Sequence, residues 1–540
     1  MTNVYEMLEN TAKRYPDSIA FADPAKKVTF AGLSDLTKRI ATLLLKGEVC
    51  APVEAEDGVG FYMEKSTDAV CAMLGAVRAG AFYSFIDVRQ PAERAASVIN
   101  VLSPKLIITD AENADALRRI FVAEENANAA RTLTGPYLRD FPKRRIHMGI
   151  RPHIILINDL LDYAAKCEID EGLLRLAQTV AYDTMPLYVN FTSGSTGTPK
   201  GVAVSHRSVI DFISVFTSTF DIGHEDIIAN QAPFDFDVSV KDVYSGLYTG
   251  AGVQLIPRDY FSNPSVLMDY LADNKVTTLI WAVSAMCFVS IMNGLEYRTP
   301  EQINKVMFSG EVMPVKHLNK WRKFLPGATY VNLYGPTEIT CNCTYYVLDR
   351  DFENDETIPA GMPFANEKVF LLGEDNRLVE EPDVCGEICV SGTCLALGYY
   401  RDPERTREVF MQNPLNDRYS EMIYRTGDIG RYDSDGNLIY VSRKDFQIKH
   451  MGQRIELGEI ETAAMAAAGV TRACCIYNTE KKRIELYYTG DTEKKAVSAA
   501  IKQKLPQFMI PGRTVKLDEM PLNKNGKIDR QRLSEGKISL

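Results

Sequence analysis

The sequence has no long apolar run, because charged residues interrupt its hydrophobic stretches throughout the 540 residues. No window approaches the roughly 20 apolar residues that a membrane-spanning helix needs. The first fifteen residues are amphipathic and lack the basic and then apolar order of a signal peptide. We therefore expect a cytoplasmic protein without membrane insertion.

The sequence also lacks a cysteine pattern that would hold a metal. Its eleven cysteines are scattered, and the groups Cys341/Cys343 and Cys385/Cys389/Cys394 do not match zinc or iron–sulfur spacings. An odd, dispersed set indicates reduced thiols rather than a disulfide framework. The sequence therefore predicts no cysteine-bound metal.

The chain lacks an excess of positive charge, and its net charge of −10 argues against a general nucleic-acid binder. The exception is the segment after Phe446, where Lys and Arg outnumber Asp and Glu. A basic surface there could face an acidic partner or a polyphosphate, although a solvated surface is the commoner cause of such a bias.

What the chain has in abundance is glycine, serine and threonine in one central stretch. Phe191–Val202 reads FTSGSTGTPKGV and follows an apolar, strand-like segment. Gly194, Gly197 and Gly201 allow positive φ and close approach to a ligand, and hydroxyls with free N–H groups make an anion nest. Lys200 adds a charge suited to phosphate. The closing Gly-Lys-Ser/Thr of a Walker loop is missing, so we predict a phosphate loop of another kind; an ordinary turn is the alternative.

This loop resembles the signature loop of the adenylate-forming superfamily, which includes nonribosomal peptide adenylation domains, D-alanine–carrier protein ligases, acyl-CoA synthetases and luciferases. Further motifs of the superfamily follow in the same order, so the resemblance covers nearly the whole chain. They are RAGAFY at 78–83, NLYGPTE at 332–338, YRTGD at 424–428, the stretch 442–459 and PLNKNGKIDR at 521–530. The closest likeness is to the D-alanine ligases.

The resemblance implies a site for ATP and Mg²⁺. In it Tyr334 flanks the adenine, and Asp428, with Arg443 nearby, accepts both ribose hydroxyls. Glu338 holds Mg²⁺, a hard cation that prefers oxygen ligands. Lys527 is the implied catalytic residue, because a mobile lysine can balance charge at the α-phosphorus. The other implied residues are Thr192, also catalytic, and Ser193, Gly194, Ser195, Thr196, Gly197, Lys200, Gly310, Glu311, Asn332, Gly335 and Thr337.

The resemblance also implies an amino acid substrate. Asp237 lies in PFDFDVS, the motif that in amino-acid-activating members supplies an aspartate to the substrate ammonium. Acyl-CoA synthetases generally lack this acid, because a neutral acyl chain leaves a buried carboxylate unpaired. Lys241, on the same helix face, could pair an acidic side chain, bond Asp237 itself or leave room only for a small side chain. The remaining implied pocket residues are Val238, Met307, Ser309, Leu333, Cys341 and Asn342.

Alternating helical and strand periods predict an α/β fold of at least two domains, because 540 residues exceed a single core. We expect a large N-terminal domain, residues 1–442, of mixed or parallel sheets layered with helices, plus a small β-barrel-like part. A hinge at 443–445 containing Asp445 would join it to a small, mobile α+β domain, residues 446–540, which carries Lys527.

Together these patterns predict a stand-alone enzyme that makes an aminoacyl adenylate and pyrophosphate from ATP and an amino acid. It would then load the phosphopantetheine thiol of a separate acyl or peptidyl carrier protein, since no carrier domain follows Lys527. We expect a monomer with no nucleic-acid partner. The alternatives are an acyl-CoA synthetase, which Asp237 disfavours, and a non-catalytic nucleotide-binding protein, which Glu338, Asp428 and Lys527 disfavour.

Overall fold

The computed structural model describes residues 1–121, 152–193, 199–354, 356–444, 447–479, 481–522 and 528–534. Several predicted functional residues therefore lie outside the described ranges. They are Gly194, Ser195, Thr196 and Gly197 of the loop, the hinge residue Asp445, and Lys527.

Helices and strands alternate along most of the described chain, as the sequence periods predict. The helices are α1 Tyr5–Arg14, α2 Phe30–Lys46, α3 Thr67–Arg78, α4 Ala92–Leu102, α5 Ile157–Lys166, α6 Glu171–Val180, α7 His206–Thr219, α8 Val238–Thr249, α9 Pro264–Asp273, α10 Val283–Ile291, α11 Gly294–Tyr297, α12 Val315–Phe324, α13 Pro403–Val409, α14 Leu457–Met465, α15 Lys494–Lys504 and α16 Arg530–Ser534. The strands are β1 Ile19–Ala22, β2 Lys27–Thr29, β3 Gly58–Tyr62, β4 Phe82–Phe85, β5 Leu106–Thr109, β6 His153–Leu156, β7 Pro186–Thr192, β8 Lys200–Ser205, β9 Ile227–Asn230, β10 Gly252–Leu255, β11 Thr278–Ala282, β12 Lys305–Ser309, β13 Thr329–Tyr334, β14 Thr344–Val347, β15 Met362–Pro363, β16 Glu367–Leu372, β17 Leu378–Val379, β18 Gly386–Gly392, β19 Gly398–Tyr399, β20 Phe410–Gln412, β21 Met422–Tyr432, β22 Leu438–Arg443, β23 Gln447–His450, β24 Gln453–Glu456, β25 Val470–Asn478, β26 Arg483–Gly490 and β27 Arg513–Lys516.

Two large sheets carry most of the chain before residue 365. One has the order β15-β14-β13-β12-β11-β9-β10-β1-β2, and the other β19-β8-β7-β4-β3-β5-β6. In the second sheet β3 pairs in parallel with β4 and β5, in agreement with the predicted mixed or parallel sheets. One buried cluster joins both sheets through Phe21 of β1 and Phe61 of β3, with Leu33 of α2 packed among them.

Smaller sheets follow. Strands β17-β16-β18-β21-β20, with β22 on β21, form a separate antiparallel sheet. Beyond it lie the β23–β24 hairpin and the β25-β26-β27 sheet, on which α14 packs. The hydrophobic cluster under α14 draws its described members from residues 448–510 alone. The predicted mixed α/β fold is confirmed.

Gly201 differs from its prediction. It lies inside β8, opposite Phe191 of β7, and does not have a positive φ. A Cβ there would lie 2.7 Å from Val189 Cγ1 and 3.1 Å from the Phe191 ring. The prediction of a turn conformation at Gly201 is therefore wrong, and the glycine instead lets β8 pack closely against the side chains of β7.

Candidate active site

A cavity lies where the end of β7, the segment before α8 and the β23–β24 hairpin meet. Thr192 and Ser193 line it together with Asp237, Thr337 and Arg454. Its volume is about 50 Å³, which is room for only a few water molecules. The described end of the predicted phosphate loop and the predicted ammonium-binding carboxylate thus face the same cavity.

Glu338 is fully buried after β13, and basic side chains surround it. Arg454 Nη1 lies 2.8 Å from its Oε1 and 2.6 Å from its Oε2, and the Tyr399 hydroxyl donates to Oε1 at 2.8 Å. Lys200 Nζ lies 3.8 Å from the same Oε1. Burial alone would raise the pKa of Glu338, but Arg454 and then Lys200 outweigh it and hold the pKa at about 2.

This geometry bears on the predicted metal. Both carboxylate oxygens of Glu338 already face the Arg454 nitrogen, so the residues around Glu338 do not fit Mg²⁺ in the arrangement seen here. Among the residues that the structure describes, no group of three or more His, Cys, Asp or Glu side chains is placed to hold a metal ion.

The predicted nucleoside residues lie together near the end of β13, which Tyr334 forms. The Tyr334 hydroxyl donates to Asp428 Oδ2 at 2.6 Å, and Arg443 Nη1 donates to Oδ1 at 2.6 Å. Strands β21 and β22 pair Asp428 directly opposite Arg443. A carboxylate has about four acceptor positions, so Asp428 can still accept from a vicinal diol. Lys449 Nζ stands 5.7 Å from the centre of the Tyr334 ring.

Two glycines near the ends of β12 and β13 have conformations or contacts that favour glycine. A Cβ on Gly335 would lie 2.5 Å from Asn342 Cα, so only glycine fits there. Gly310 has a φ of 98°, a left-handed conformation that glycine adopts readily. The Asn332 side chain donates to the Pro359 carbonyl at 2.7 Å and so ties β13 to a later loop.

The β23–β24 hairpin closes the site. Ser193 Oγ donates to the Arg454 carbonyl at 2.7 Å and accepts from the Glu456 N–H at 3.2 Å. At the hairpin tip Gly452, with a φ of 76°, donates its N–H to the Glu311 carboxylate. Two residues predicted to bind nucleotide, Ser193 and Glu311, are therefore bonded to this hairpin.

The predicted amino acid pocket is closed. Lys241 is fully buried on α8 and donates to Asn342 Oδ1 at 2.5 Å, and Cys341 Sγ donates to the Asp237 carbonyl at 3.0 Å. Burial raises the pKa of Asp237, although a hydrogen bond from Thr337 and the charge of Lys241 oppose the shift. Within this predicted set, which the structure describes completely, Asp237 alone lines the cavity. The other members are also buried: Val238, Met307, Ser309 and Leu333.

A buried polar network adjoins Lys241. Asn230 donates to Asp242 Oδ2 at 2.7 Å and accepts from Lys65 Nζ at 2.8 Å. Burial raises the pKa of Asp242 to about 7, against the opposing effects of Asn230, Lys241 and Lys65. The charge of Lys241 therefore has Asp242 as well as Asp237 nearby.

Sequence reasoning did not single out several residues of this site. The sequence could have indicated Arg454 as a site residue, because it stands inside the 442–459 motif, between Gly452 and Glu459. Tyr399 has no motif around it that would mark it. Arg94 of α4 forms a buried ion pair with Glu459 of α14, and these side chains are 9% and 2% exposed. Only the fold could show that pair, because 365 residues separate its members.

Comparison with known proteins defines the class. The chain is 30% identical over 536 residues to the L-proline–[L-prolyl-carrier protein] ligase of Streptomyces coelicolor, covering 95% of this chain and 94% of that protein. It is 32% identical over 538 residues to a linear gramicidin synthase protein of Brevibacillus parabrevis, covering 98% of this chain and 6% of that protein. Its fold matches the Vibrio cholerae adenylation domain AlmE, crystallised with glycyl-adenosine-5′-phosphate, with a TM-score of 0.80 at 20% identity over 99% of this chain and 98% of that one.

The model of the AMP-binding enzyme family matches residues 8–400. The chain belongs to this family, within the adenylate-forming superfamily, and its relatives include nonribosomal peptide adenylation domains, as the sequence motifs predict. In the part of the chain that the structure describes, no helix has the length and apolar character needed to cross a membrane.

Proposed function

We propose that the protein is a stand-alone amino acid adenylating enzyme that loads a separate carrier protein. One observation carries the proposal: Asp237 lines the same cavity as Thr192 and Ser193. If the ammonium group of an amino acid bound Asp237, the carboxylate of the same amino acid would point towards the phosphate loop. An enzyme acting on a plain carboxylic acid would have no use for a carboxylate at that position.

In the first half-reaction a carboxylate oxygen of the amino acid attacks the α-phosphorus of ATP, and the bond to the pyrophosphate oxygen breaks. This chemistry needs positioning and charge neutralisation more than proton transfer. Lys200 is buried beside Glu338 and supplies positive charge close to the end of the loop. Thr192 and Thr337 line the cavity and offer hydroxyl donors. Lys527, by resemblance, would balance the charge at the α-phosphorus.

In the second half-reaction the thiolate of a phosphopantetheine arm attacks the acyl carbon, and AMP leaves. The Streptomyces relative, matched over nearly its whole length, is by its name a ligase for a carrier protein. We retain the division into residues 1–442, a hinge at 443–445 and a mobile domain from 446, with Asp445 as pivot. The cytoplasmic location and the monomeric state also stay predictions.

For the substrate we propose a small amino acid, as in the D-alanine ligases. Lys241 is fully buried and its ammonium is bonded to Asn342, so the lysine fills the pocket next to Asp237. The carboxyl groups of Asp237 and Asp242 also act on that ammonium, so the protein itself offers it partners without a substrate carboxylate. An acidic amino acid paired with Lys241 is the alternative.

The test is amino-acid-dependent exchange of labelled pyrophosphate into ATP, across a panel of L- and D-amino acids that includes Asp and Glu. We expect one small amino acid to support exchange, and Asp237→Asn to lower kcat/KM at least about 100-fold, as for a lost buried ion pair, without weakening ATP binding. Lys527→Ala should abolish adenylate formation yet spare ATP binding.

Two outcomes would contradict the proposal. Exchange with plain carboxylic acids and thioester formation on CoA, both insensitive to Asp237→Asn, would identify an acyl-CoA synthetase. Binding of ATP with no exchange for any acid would identify a non-catalytic nucleotide-binding protein.

A further inference from the structure

The two large sheets each carry one part of the candidate site. In the second sheet β3, β4 and β7 run parallel, so Lys65, which follows β3, lies at the same edge as Thr192 at the end of β7. In the first sheet β9 ends at Asn230, and the chain then runs to Asp237 at the start of α8. The predicted phosphate loop and the predicted ammonium-binding carboxylate are therefore carried by different sheets.

Lys65 reaches from the second sheet to the backbone of the first. Its Nζ lies 2.9 Å from the Asn230 carbonyl oxygen, 2.8 Å from that of Gln231 and 3.3 Å from that of Ala232. A buried carbonyl that lacks a donor is costly, and Lys65 supplies a donor just past the end of β9. It therefore fixes the start of the segment that leads to Asp237.

The same ammonium is also connected to helix α8. Asn230 Oδ1 accepts from Lys65 Nζ at 2.8 Å, and Asn230 Nδ2 donates to Asp242 Oδ2 at 2.7 Å. Asn230 and Asp242 are fully buried. Burial lowers the pKa of Lys65 to about 7, although the charge of Asp242 opposes the shift, and the amine keeps N–H donors in both protonation states. One network thus holds the segment both at its start and at the helix that follows it.

Two contacts between side chains join the same edges of the sheets. The rings of Phe85, at the end of β4, and Phe234 pack edge to face with their centres 5.1 Å apart. Arg258 Nη1, after β10, lies 3.3 Å from Asp87 Oδ1, after β4. Lys65 differs from both pairs because it binds the backbone of the segment, so the position of the segment depends on Lys65 most directly.

We propose that Lys65 is a positioning residue, which sets the place of an amino acid bound at Asp237 relative to a nucleotide bound at the phosphate loop. The inference rests on the proposed function and adds to it a residue outside the cavity that Asp237 and Thr192 line. Reacting atoms must approach within about 3–3.5 Å, and a misplacement of about 1 Å can cost about 100-fold in rate. Loss of Lys65 should therefore impair the use of the amino acid more than the binding of ATP.

The experiment compares Lys65→Met with the wild type in pyrophosphate exchange, with whichever of glycine, L-alanine and D-alanine the wild type uses best. We expect the KM for the amino acid to rise at least about tenfold and kcat/KM to fall about 30–100-fold, while the KM for ATP stays within about threefold. Lys65→Arg restores a cation with several donors and should recover kcat/KM to within about fivefold of the wild type. Lys65→Gln has two donors on a shorter side chain and should lie between them, which keeps the test usable if Lys65→Met does not fold.

Lys305→Met is the matched control, because Lys305 binds Asp226 at the opposite end of β9. Its Nζ lies 3.0 and 3.1 Å from the two Asp226 oxygens, and its side chain is 18% exposed. Loss of this contact should lower the melting temperature and leave the KM for the amino acid unchanged. A general weakening of β9 is thereby separated from a displaced Asp237.

Hydrogen–deuterium exchange of residues 231–237 supplies a second readout that does not need turnover. Lys65→Met should raise amide exchange there and leave residues 187–193 close to the wild type, because local opening follows the loss of local contacts. Unchanged amide exchange in 231–237, an unchanged KM for the amino acid, or equal effects of Lys65→Met and Lys305→Met would overturn the proposal. A wild type that exchanges pyrophosphate with no amino acid would instead contradict the proposed function, and the amide exchange would still decide whether Lys65 holds the segment.

Discussion

Under the proposed function, Lys241 is the side chain on which the choice of substrate would depend. It shares its helix face with Asp237, and its ammonium is bonded to Asn342 and not to Asp237. We therefore expect the lysine to act on the substrate mainly through its volume, since its ammonium is already hydrogen-bonded within the protein. A neutral side chain of the same length should preserve the size of the pocket, and a short one should enlarge it.

Shortening Lys241 should change the size preference. Lys241→Ala removes four side-chain atoms beyond Cβ, so we expect kcat/KM to rise at least about tenfold for a larger apolar amino acid such as leucine. This is within the 10–200-fold range for one methylene in a hydrophobic pocket. Pyrophosphate exchange across an amino acid series of increasing size measures the shift.

Lys241→Met is the matched control, because it keeps most of the length and volume of the side chain and removes the charge together with the hydrogen bond to Asn342. We expect it to retain the preference for the small substrate. If Lys241→Met instead abolished activity with an acidic amino acid that the wild type prefers, the lysine would be an ion-pair partner and the acidic-substrate alternative would be correct.

The residues of the candidate site were predictable from the sequence where they stand in a short motif. Tyr334, Asp428 and Arg443 stand in short motifs, and the structure brings them together. The partner of Glu338 was not predictable, because 116 residues separate Arg454 from it and the pairing depends on how the hairpin is inserted. The resemblance assigns a metal to Glu338 but does not indicate which side chain pairs with this carboxylate when no metal is bound.

The β7–β8 pair carries the predicted phosphate loop between its strands, so its packing fixes both ends of the loop. Gly201→Ala should strain this pair, because the new Cβ would lie 2.7 Å from Val189 Cγ1. Overpacking of this kind costs about 1–3 kcal/mol. We expect a lower melting temperature in calorimetry, together with weaker ATP binding.

Gly223→Ala is the control for the loss of glycine itself, since no atom lies within 4 Å of its added Cβ. It should leave the melting temperature within about 1 °C of the wild type, as most uncrowded surface substitutions do. Equal effects of the two substitutions would show that steric crowding at Gly201 is not the cause.

The succession of helices and strands was easier to predict than the order of the strands within each sheet. The alternation of helices and strands follows from the sequence periods, and the structure confirms it. The sheet order was not predictable, because β1 pairs with β10 across more than 200 residues through contacts that no local pattern encodes. The same limit explains Gly201, whose role is set by side chains of another strand.

Helices α4 and α14 lie far apart in the sequence and are joined by the ion pair between Arg94 and Glu459, which is almost fully buried. Breaking such a pair by removing one partner costs about 3–5 kcal/mol. Arg94→Met should therefore disfavour the arrangement seen here, with its inserted hairpin. We expect carrier loading in single turnover to fall at least about tenfold, and amino-acid-dependent pyrophosphate exchange to stay within about threefold.

Arg89→Met provides the comparison, because Arg89 is 58% exposed and its ion pair with Glu64, at 3.4 Å, lies at the surface. Exposed pairs contribute about 0–1 kcal/mol, so both half-reactions should be unaffected. An equal loss of both half-reactions in Arg94→Met would show that the pair supports the fold in general and not one arrangement of it.

The small cavity has a consequence for a reactive intermediate. An acyl adenylate is a mixed anhydride, and bulk water would hydrolyse it to the free acid and AMP before a thioester could form. With the hairpin in place Gln453 and Arg454 line the cavity, so the hairpin would shield the activated carbonyl from solvent on that side, and exclusion of water suppresses such side reactions. The closed arrangement would thus limit hydrolysis of the acyl adenylate until the acyl group is transferred to the thiol.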